Sequence, residues 1–274
     1  YPEWRDYYEK WLALGGKGMP RDPAPLISVV IPCYRPDTAY FRECLDSLLK
    51  GQVDQHGFAF DNFEVIVVIE PAGYEETQAL IESYHDPRLI FHVNPERYGI
   101  AKSLNQGLRM ARGAYIARMD DDDIASPHRF FRQASYLNEH PEIVLCTSDF
   151  EYFGDMNEYR VTFEGEMSKA WSIFTCPFDH PTIMFRRKFF VENNLFYDET
   201  RGYVEDWELW LRAFRAGMTV GCVHEGLFFH RWHNGSAGQN NQTVEMMRQL
   251  VQKNFAELGV SLREEELPLI APWN

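Results

Sequence analysis

The sequence contains no long apolar run. A helix that spans a bilayer needs about 20 apolar residues, and no stretch of this chain approaches that length. A basic segment followed by an apolar core, which would mark a secretory signal, is also missing. We therefore expect a cytoplasmic chain without a transmembrane segment. Because it begins at Tyr1 without a methionine, we expect a fragment of a longer protein, whose further domains could hold it at the inner face of a membrane.

Paired cysteines and an excess of basic charge are missing too. The five cysteines are odd in number, scattered and without a CxxC spacing, so we expect reduced thiols and neither a disulfide framework nor a zinc site. The chain has 27 basic and 41 acidic residues, which gives a formal net charge of -14. Nucleic-acid binding needs a clustered basic surface, so we expect no nucleic-acid partner.

The chain does contain enough apolar material for a substantial core, since 45% of its 274 residues are hydrophobic and 15% are aromatic. In the first half, β-branched runs alternate with segments of helical spacing. Strands are predicted at 26–31, 64–69, 89–93 and 114–119, and helices around 41–49, 78–84 and 100–111. We expect Pro32 to end the first strand and Gly113 to stop the third helix. This alternation predicts an α/β, Rossmann-like fold with a mostly parallel central sheet flanked by helices.

We divide the chain into three parts. Residues 1–25 are an N-terminal helical extension, with a helix at 3–14, and a linker rich in glycine and proline. Residues 26–125 are a nucleotide-binding half, and residues 126–274 are a second half that holds the other substrate. In that second half, helices are predicted to start at Ser126-Pro127 and to lie at 187–194, 206–216 and 242–258, and strands at 143–149, 182–186 and 219–232.

Four consecutive aspartates, Asp120 to Asp123, follow the fourth predicted strand. Carboxylates this close repel one another, whereas a divalent cation turns that repulsion into attraction. They stand at the carboxyl end of a strand, where open α/β sheets place ligands. Asp120 and Asp122 are two residues apart, so both side chains could lie on the same side of an extended segment. The quartet predicts an oxygen-rich site for Mg²⁺ or Mn²⁺, with a solvated acidic loop as the alternative.

Motifs of other nucleotide-binding proteins are absent, because neither GxxxxGK[ST] nor a strand-linked GxGxxG occurs. Six segments in order, within roughly residues 26–236, resemble glycosyltransferase family 2. They are Ser28 to Pro36, Glu64 to Val68, Tyr98 to Leu108, Ala117 to Asp123 with the DxD motif, His180 to Arg186, and Glu205 to Arg212. The resemblance implies a GT-A fold and an inverting transfer of a sugar from a nucleotide-diphosphate donor to a glycan or lipid-linked glycan acceptor. Residues 126–274 then become the acceptor-binding half.

The resemblance also implies roles for individual acids. It places Asp120 near the ribose of the donor and Asp122 on the metal, with His233 as a further metal ligand. In a single displacement at the anomeric carbon, a general base takes the acceptor proton while a cation neutralises the departing diphosphate. We assign the base to Asp206, with Glu205 as second choice; a helix-capping role for both is the alternative.

Other positions follow from the same motifs. The further donor-side residues are Pro32, Tyr34, Arg35, Glu70, Lys102, Asp121 and Arg231, and the acceptor-side residues are His180 and Trp207. The chain departs from the family at Ile69-Glu70-Pro71-Ala72, where many members have Asp-Asp-Gly-Ser. Either Glu70 contacts the nucleotide base with a longer arm, or that contact is lost. We favour a UDP-sugar, with guanosine and thymidine donors left open, and the missing QxxRW motif favours transfer of single sugars in polysaccharide biosynthesis.

Two other functions stay open at this point. A sugar nucleotidyltransferase also places magnesium on a diphosphate with acids at a strand end, but here no glycine-rich basic loop follows the first strand. An inactive nucleotide- or glycan-binding module of a multidomain enzyme would explain the altered segment at Glu70.

Overall fold

A computed structural model describes residues 24–202, 204–233 and 241–267. The helix predicted at 3–14 lies outside these residues. The strands are β1 (Ile27–Cys33), β2 (Phe63–Ile69), β3 (Leu89–Val93), β4 (Tyr115–Arg118), β5 (Ile124–Ala125), β6 (Leu145–Gly154), β7 (Glu158–Arg160), β8 (Met184–Arg186) and β9 (Val220–Trp232). The helices are α1 (Thr38–Leu49), α2 (Tyr74–Ser83), α3 (Ile100–Met110), α4 (Arg129–Glu139), α5 (Gly165–Trp171), α6 (Arg187–Glu192), α7 (Glu205–Arg215) and α8 (Asn241–Glu257). In this described part of the chain, no helix has the length and apolarity needed to cross a membrane.

All strands join one sheet in the order β3-β2-β1-β4-β8-β6-β9-β5, with β7 paired to β6 outside this path. The first four strands of that order are parallel to one another. β8 then runs antiparallel to both β4 and β6, whereas β9 is parallel to β6. The α/β class with a parallel nucleotide-type block is therefore confirmed, and the second half extends the same sheet rather than forming a separate one.

The core lies on both faces of the sheet because successive side chains of a strand point to opposite sides. In β1, Val29 packs into the cluster that α1 covers, while Val30 packs into the cluster that α3 and α7 cover. On the second face, Gly107 of α3 lies so close to β1 that a Cβ atom there would be 2.4 Å from Val30 Cγ1. Glycine is required at this crossing, which brings α3 against the sheet.

Two boundary predictions in the first half are wrong. Pro32 does not end β1, which continues to Cys33. Only Ile27 to Val30 pair with β4, so Pro32 lies where β1 is paired on the β2 side alone, and its missing N–H is tolerated there. Gly113 does not stop α3, which ends at Met110; a Cβ atom at Gly113 would be 2.5 Å from the backbone nitrogen of Ser28. Gly113 permits a close approach to β1.

A third boundary prediction, the helix start at Ser126-Pro127, is also displaced. Helix α4 begins at Arg129, and the side chain of the preceding His128 makes no capping hydrogen bond. Ser126 instead forms a turn in which its carbonyl accepts the N–H of Arg129 at 3.0 Å. The other predicted strands and helices of the second half are present with shifted ends.

The pairing of β5 with β9 positions the acidic quartet. The quartet lies between β4 and β5, and Ile124 of β5 is opposite Phe229 of β9 in an antiparallel pair. This pairing brings the carboxyl end of β9, which leads to His233, beside the carboxyl end of β4. Two segments separated by more than 100 residues in the sequence therefore meet at one edge of the sheet.

Candidate active site

Asp122 and His233 form the open part of the site. Nε2 of His233 lies 3.1 Å from Oδ2 of Asp122, and about a third of each side chain is exposed. Neighbouring ligands of an octahedral magnesium ion, at about 2.1 Å from the metal, are roughly 3 Å apart. The spacing and the donor types of this pair thus fit a divalent cation, and the structure brings together the two residues predicted as metal ligands.

The other acids of the quartet have different environments. Asp120 forms an ion pair with Arg118. Asp121 lies near the thiol of Cys33, and burial together with Asp120 and Asp122 raises the pKa of its carboxyl to about 7. The consecutive carboxylates therefore point to separate partners, and Asp122 is the member that meets the histidine.

Asp123 is the fully buried member of the quartet. Its Oδ1 accepts the backbone N–H of Arg231 at 2.7 Å, and its Oδ2 has no hydrogen-bond partner within the described residues. Burial and the charge of Asp120 raise the pKa of Asp123 well above its usual range. Asp123 therefore fastens the end of β9 to the acidic loop.

Arg231, predicted to bind the donor phosphates, braces the same loop. Its Nε donates to the carbonyl of Asp122 at 2.7 Å, and its guanidinium group lies 4.1 Å from the ring centre of Tyr40 and forms an ion pair with Glu43. The phosphate contact stays a prediction, and the structure gives this side chain a role in holding the loop.

Glu205 and Asp206 begin helix α7 and form the second group of acids in the site. Burial and the neighbouring Asp206 raise the pKa of Glu205 to about 8. Burial also raises the pKa of Asp206, although its Oδ1 accepts the N–H of Trp207 at 2.7 Å and its Oδ2 accepts the thiol of Cys176 at 3.4 Å. Asp206 is half-buried, whereas Glu205 is 6% exposed. Asp206 combines a raised pKa with an accessible carboxyl, which suits a general base.

Arg118 connects these two groups of acids, and the sequence reasoning missed it. This residue is 4% exposed at the end of β4 and is ion-paired with Asp120. Its charge also lowers the pKa of Glu205 and of Asp206, against the effect of burial. An arginine at the end of a continuous apolar strand is the signal that could have identified it.

His230 and Asp179 form a second connection that the sequence reasoning missed. Nδ1 of His230 lies 3.1 Å from Oδ2 of Asp179. Burial lowers the pKa of His230, but Asp179, Asp123 and Asp120 together raise it to about 10. His230 is therefore a cation at neutral pH and compensates part of the negative charge between the quartet and Asp206.

The two acceptor-side predictions fall on buried side chains. Nε2 of His180 lies 2.8 Å from the hydroxyl of Tyr197, and burial together with Arg118 lowers the pKa of His180 well below its usual range, so the ring is neutral. Trp207 is 1% exposed and donates its indole N–H to the carbonyl of Ser172 at 2.6 Å. Both stabilise the wall of the site, and contact with an acceptor stays a prediction.

The carboxylate of Glu70 accepts hydrogen bonds from the residues around the start of α3. Its Oε1 accepts the backbone N–H of Gly99 at 3.0 Å and the hydroxyl of Ser103 at 2.7 Å, and its Oε2 accepts the backbone N–H of Tyr98 at 2.9 Å. The side chain is 4% exposed. The Glu70 side chain connects the end of β2 to the start of α3 through these hydrogen bonds. Its contact with a nucleotide base stays a prediction.

The remaining donor-side residues lie near the ends of β1 and α3. Pro32 is within β1, and Tyr34 is 45% exposed with the guanidinium group of Arg97 4.9 Å from its ring centre. Arg35 has a positive φ of 50°. Nζ of Lys102 lies 3.4 Å from the ring centre of Tyr98. These aromatic and basic groups are compatible with a nucleotide diphosphate, and their roles stay predictions.

The geometry agrees with comparisons to known proteins. The family model "Glycosyl transferase family 2" matches residues 28–196. The chain belongs to glycosyl transferase family 2. It is 28% identical over 200 residues to the amylovoran biosynthesis glycosyltransferase AmsE of Erwinia amylovora, which covers 71% of this chain and 72% of that protein. The protein is thus a glycosyltransferase.

Solved structures show the same fold. S. aureus TarS 1-349 in complex with UDP-GlcNAc has a TM-score of 0.65 and 19% identity, covering 89% of this chain and 70% of that one. The mannosyltransferase PcManGT from Pyrobaculum calidifontis, in complex with GDP-Man and Mn²⁺, has a TM-score of 0.61 and 18% identity, covering 97% of this chain and 74% of that one. A longer TarS chain is matched over 42% of its length. These similarities confirm the GT-A architecture.

Proposed function

We propose that this glycosyltransferase is metal-dependent and inverting, and that it moves a sugar from a nucleotide diphosphate to a glycan acceptor. The observation that carries this proposal is the division of the site's acids. Asp122 pairs with His233 at 3.1 Å in an open position, whereas Glu205 and Asp206 are held in a protein environment that raises their pKa. One set suits a cation, and the other suits proton transfer.

The metal-binding residues would be Asp122 and His233. A divalent cation at this position would neutralise the negative charge of the departing diphosphate. Two hydrogen bonds of Arg231 hold the acidic loop in place for the cation. The Nε of Arg231 donates to the carbonyl of Asp122, and its backbone N–H donates to the carboxylate of Asp123. The Mn²⁺ complex of PcManGT supports manganese as the first cation to test, with magnesium as the second.

The proton of the acceptor hydroxyl would pass to Asp206. An inverting reaction needs a base on the face opposite the leaving group, and Asp206 comes from α7, a different element from the quartet that follows β4. Hydrogen bonds from Trp207 N–H and from the Cys176 thiol fix the direction of the Asp206 carboxylate. Glu205 beside it is almost inaccessible, and burial together with the charge of Asp206 raises its pKa.

The donor we favour is a UDP-sugar. TarS, which shares the fold, is described in complex with UDP-GlcNAc, although PcManGT binds GDP-Man. Because Glu70 is hydrogen-bonded within the protein, the base would be recognised mainly by the residues after β1, among them Tyr34. The acceptor we favour is a surface polysaccharide or lipid-linked glycan, in keeping with the amylovoran biosynthesis relative.

The test is transfer or hydrolysis of a panel of nucleotide sugars with EDTA, Mg²⁺ or Mn²⁺. We expect turnover that requires a divalent cation and is lost in Asp122→Asn. Full activity of Asp122→Asn, or of the wild type in EDTA, would contradict the metal assignment. The anomeric configuration of the product, read by NMR, tests inversion separately.

A further inference from the structure

A second set of metal-ligand-type residues lies on β6 and β9, outside the site described above. Ser148 of β6 pairs with Val223 of β9, but the next residue, Asp149, pairs with Gly226. Residues 224 and 225 are therefore extra on β9, as in a β-bulge, and bulges redirect side chains. This irregularity brings His224 beside Asp149 and close to Cys222.

The three ligand atoms converge. Nδ1 of His224 is 3.3 Å from Oδ1 of Asp149, Sγ of Cys222 is 3.8 Å from the same oxygen, and all three atoms lie within 4.8 Å of one another. Tetrahedral zinc, with bonds of about 2.0 to 2.3 Å, holds neighbouring ligand atoms roughly 3.3 to 3.6 Å apart. The two distances to Oδ1 of Asp149 lie close to that range.

The surrounding groups have the arrangement that supports a metal site. Oε1 of Glu164 is 3.8 Å from Nε2 of His224, so a carboxylate faces the ring nitrogen that would not bind the metal. Oε2 of Glu164 accepts the backbone N–H of Cys222 at 2.9 Å, and Oδ2 of Asp149 accepts the hydroxyl of Tyr159 at 3.2 Å. Asp149 and Cys222 are buried, whereas half of the His224 side chain is exposed and leaves an entry route.

We propose that Asp149, Cys222 and His224 form a zinc site with Glu164 as an outer carboxylate. A thiolate with an imidazole favours zinc over magnesium or manganese, and binding would release the thiol proton to solvent. The proposal departs from the expectation drawn from cysteine spacing, because the ligands come from two strands that meet only in the fold. The site is separate from Asp122 and His233, since His224 and His233 are nine residues apart along the chain, roughly 25 to 30 Å in an extended strand.

The zinc would fasten the segment that leads to the acceptor side. Tyr159 and Glu164, which contact the three ligands, precede helix α5, and that helix leads to Ser172 and Cys176. Cys176 donates its thiol to Asp206, and Ser172 accepts the indole N–H of Trp207. The metal would therefore rigidify the chain on the α7 side without taking part in the reaction.

The test uses the Asp122→Asn, His233→Gln variant of the chain, which removes the other candidate site. After EDTA treatment and dialysis, calorimetric titration with zinc is expected to show one site. Adding Cys222→Ser or His224→Gln should abolish that site or weaken it at least about tenfold, while Cys44→Ser, a buried cysteine of α1 outside the cluster, should leave it unchanged. With cobalt(II) in place of zinc, thiolate-to-metal charge-transfer absorption should appear and be lost in Cys222→Ser.

A stability measurement covers the case in which Cys222→Ser does not fold. Zinc at about 100 times its Kd should raise the Tm of the parent variant by roughly 5 to 10 °C, and His224→Gln, which changes a half-exposed side chain, should lose that rise. No zinc bound to the parent variant, equal binding after His224→Gln, or cobalt binding without the thiolate band would overturn the proposal. None of these measurements depends on the sugar-transfer activity.

Discussion

The two acidic groups of the site differ in how the protein treats their charge. Asp122 in the quartet is partly exposed beside His233, and Asp120 has an arginine partner. At the start of α7, Glu205 is buried and Asp206 is half-buried; Asp206 accepts hydrogen bonds from a backbone N–H and a thiol, and burial raises the pKa of both acids. Carboxylates can thus be placed to bind a cation in one part of the site and to accept a proton in another.

The largest effect should come from removing the base. Asp206→Asn keeps the shape of the side chain but cannot accept a proton, so kcat should fall by about 10²- to 10⁴-fold. Binding of the nucleotide diphosphate should change little, because Asp206 lies on the acceptor side. Steady-state kinetics and nucleotide titration check both points. A variant with more than half of the wild-type kcat would remove Asp206 from the mechanism.

The raised pKa of Glu205 predicts a pH dependence of stability. Its folded pKa of about 8 lies above the unfolded value of about 4.3, so folding favours the protonated form. That contribution is complete below about pH 4 and is lost as the pH rises to 8 and beyond. Glu205→Gln should remove this loss, on the order of 2 to 4 kcal/mol between pH 5 and pH 9. Urea unfolding at pH 5 and pH 9 measures the free energy of unfolding of the wild type and the variant. An equal change in that free energy between the two pH values for both proteins would contradict the assignment.

His233 should affect the metal side alone. His233→Gln is expected to weaken Mn²⁺ binding at least about 10-fold, since loss of an outer partner of a metal ligand already costs about 10- to 100-fold. His140→Gln, at the end of α4 and outside both proposed metal sites, is the control and should leave Mn²⁺ affinity unchanged. Calorimetry with Mn²⁺ and nucleotide diphosphate distinguishes the two variants. If both variants lose affinity equally, the effect is not specific to His233.

The smallest effect should come from Glu70. Because its oxygens accept hydrogen bonds from the start of α3, Glu70→Gln should lower the free energy of unfolding by about 1 to 2 kcal/mol. UDP affinity should change less than about threefold if the side chain only braces the fold. Unfolding and nucleotide titrations measure both, and a large loss of affinity with unchanged stability would instead favour contact with the base.

The parallel half of the fold could be read from the sequence because its strands are buried on both faces. Continuous β-branched runs predicted β1 and β2 with ends shifted by one or two residues, and β3 with the correct ends. The second half was predicted less well. Its strands β6 and β9 carry a bulge and change partners along their length, and such pairing depends on segments far apart in the chain.

The site shows the same limit. The quartet and the Glu205-Asp206 pair were visible as local patterns, and family resemblance linked them to His233. The sequence did not indicate Arg118, Asp179 and His230, because their ion pairs and electrostatic interactions form only when the fold brings distant residues together. The partners of Glu70 were also invisible, since the start of α3 reaches it only after β2 and α3 have packed.

The division between a metal side and a proton side is tested most directly by calorimetric titration of UDP with and without Mn²⁺ for three proteins. We predict Mn²⁺-dependent UDP binding for the wild type and for Asp206→Asn, and its loss in Asp122→Asn. Mn²⁺-dependent binding that survives in Asp122→Asn, or that disappears in Asp206→Asn, would contradict the account.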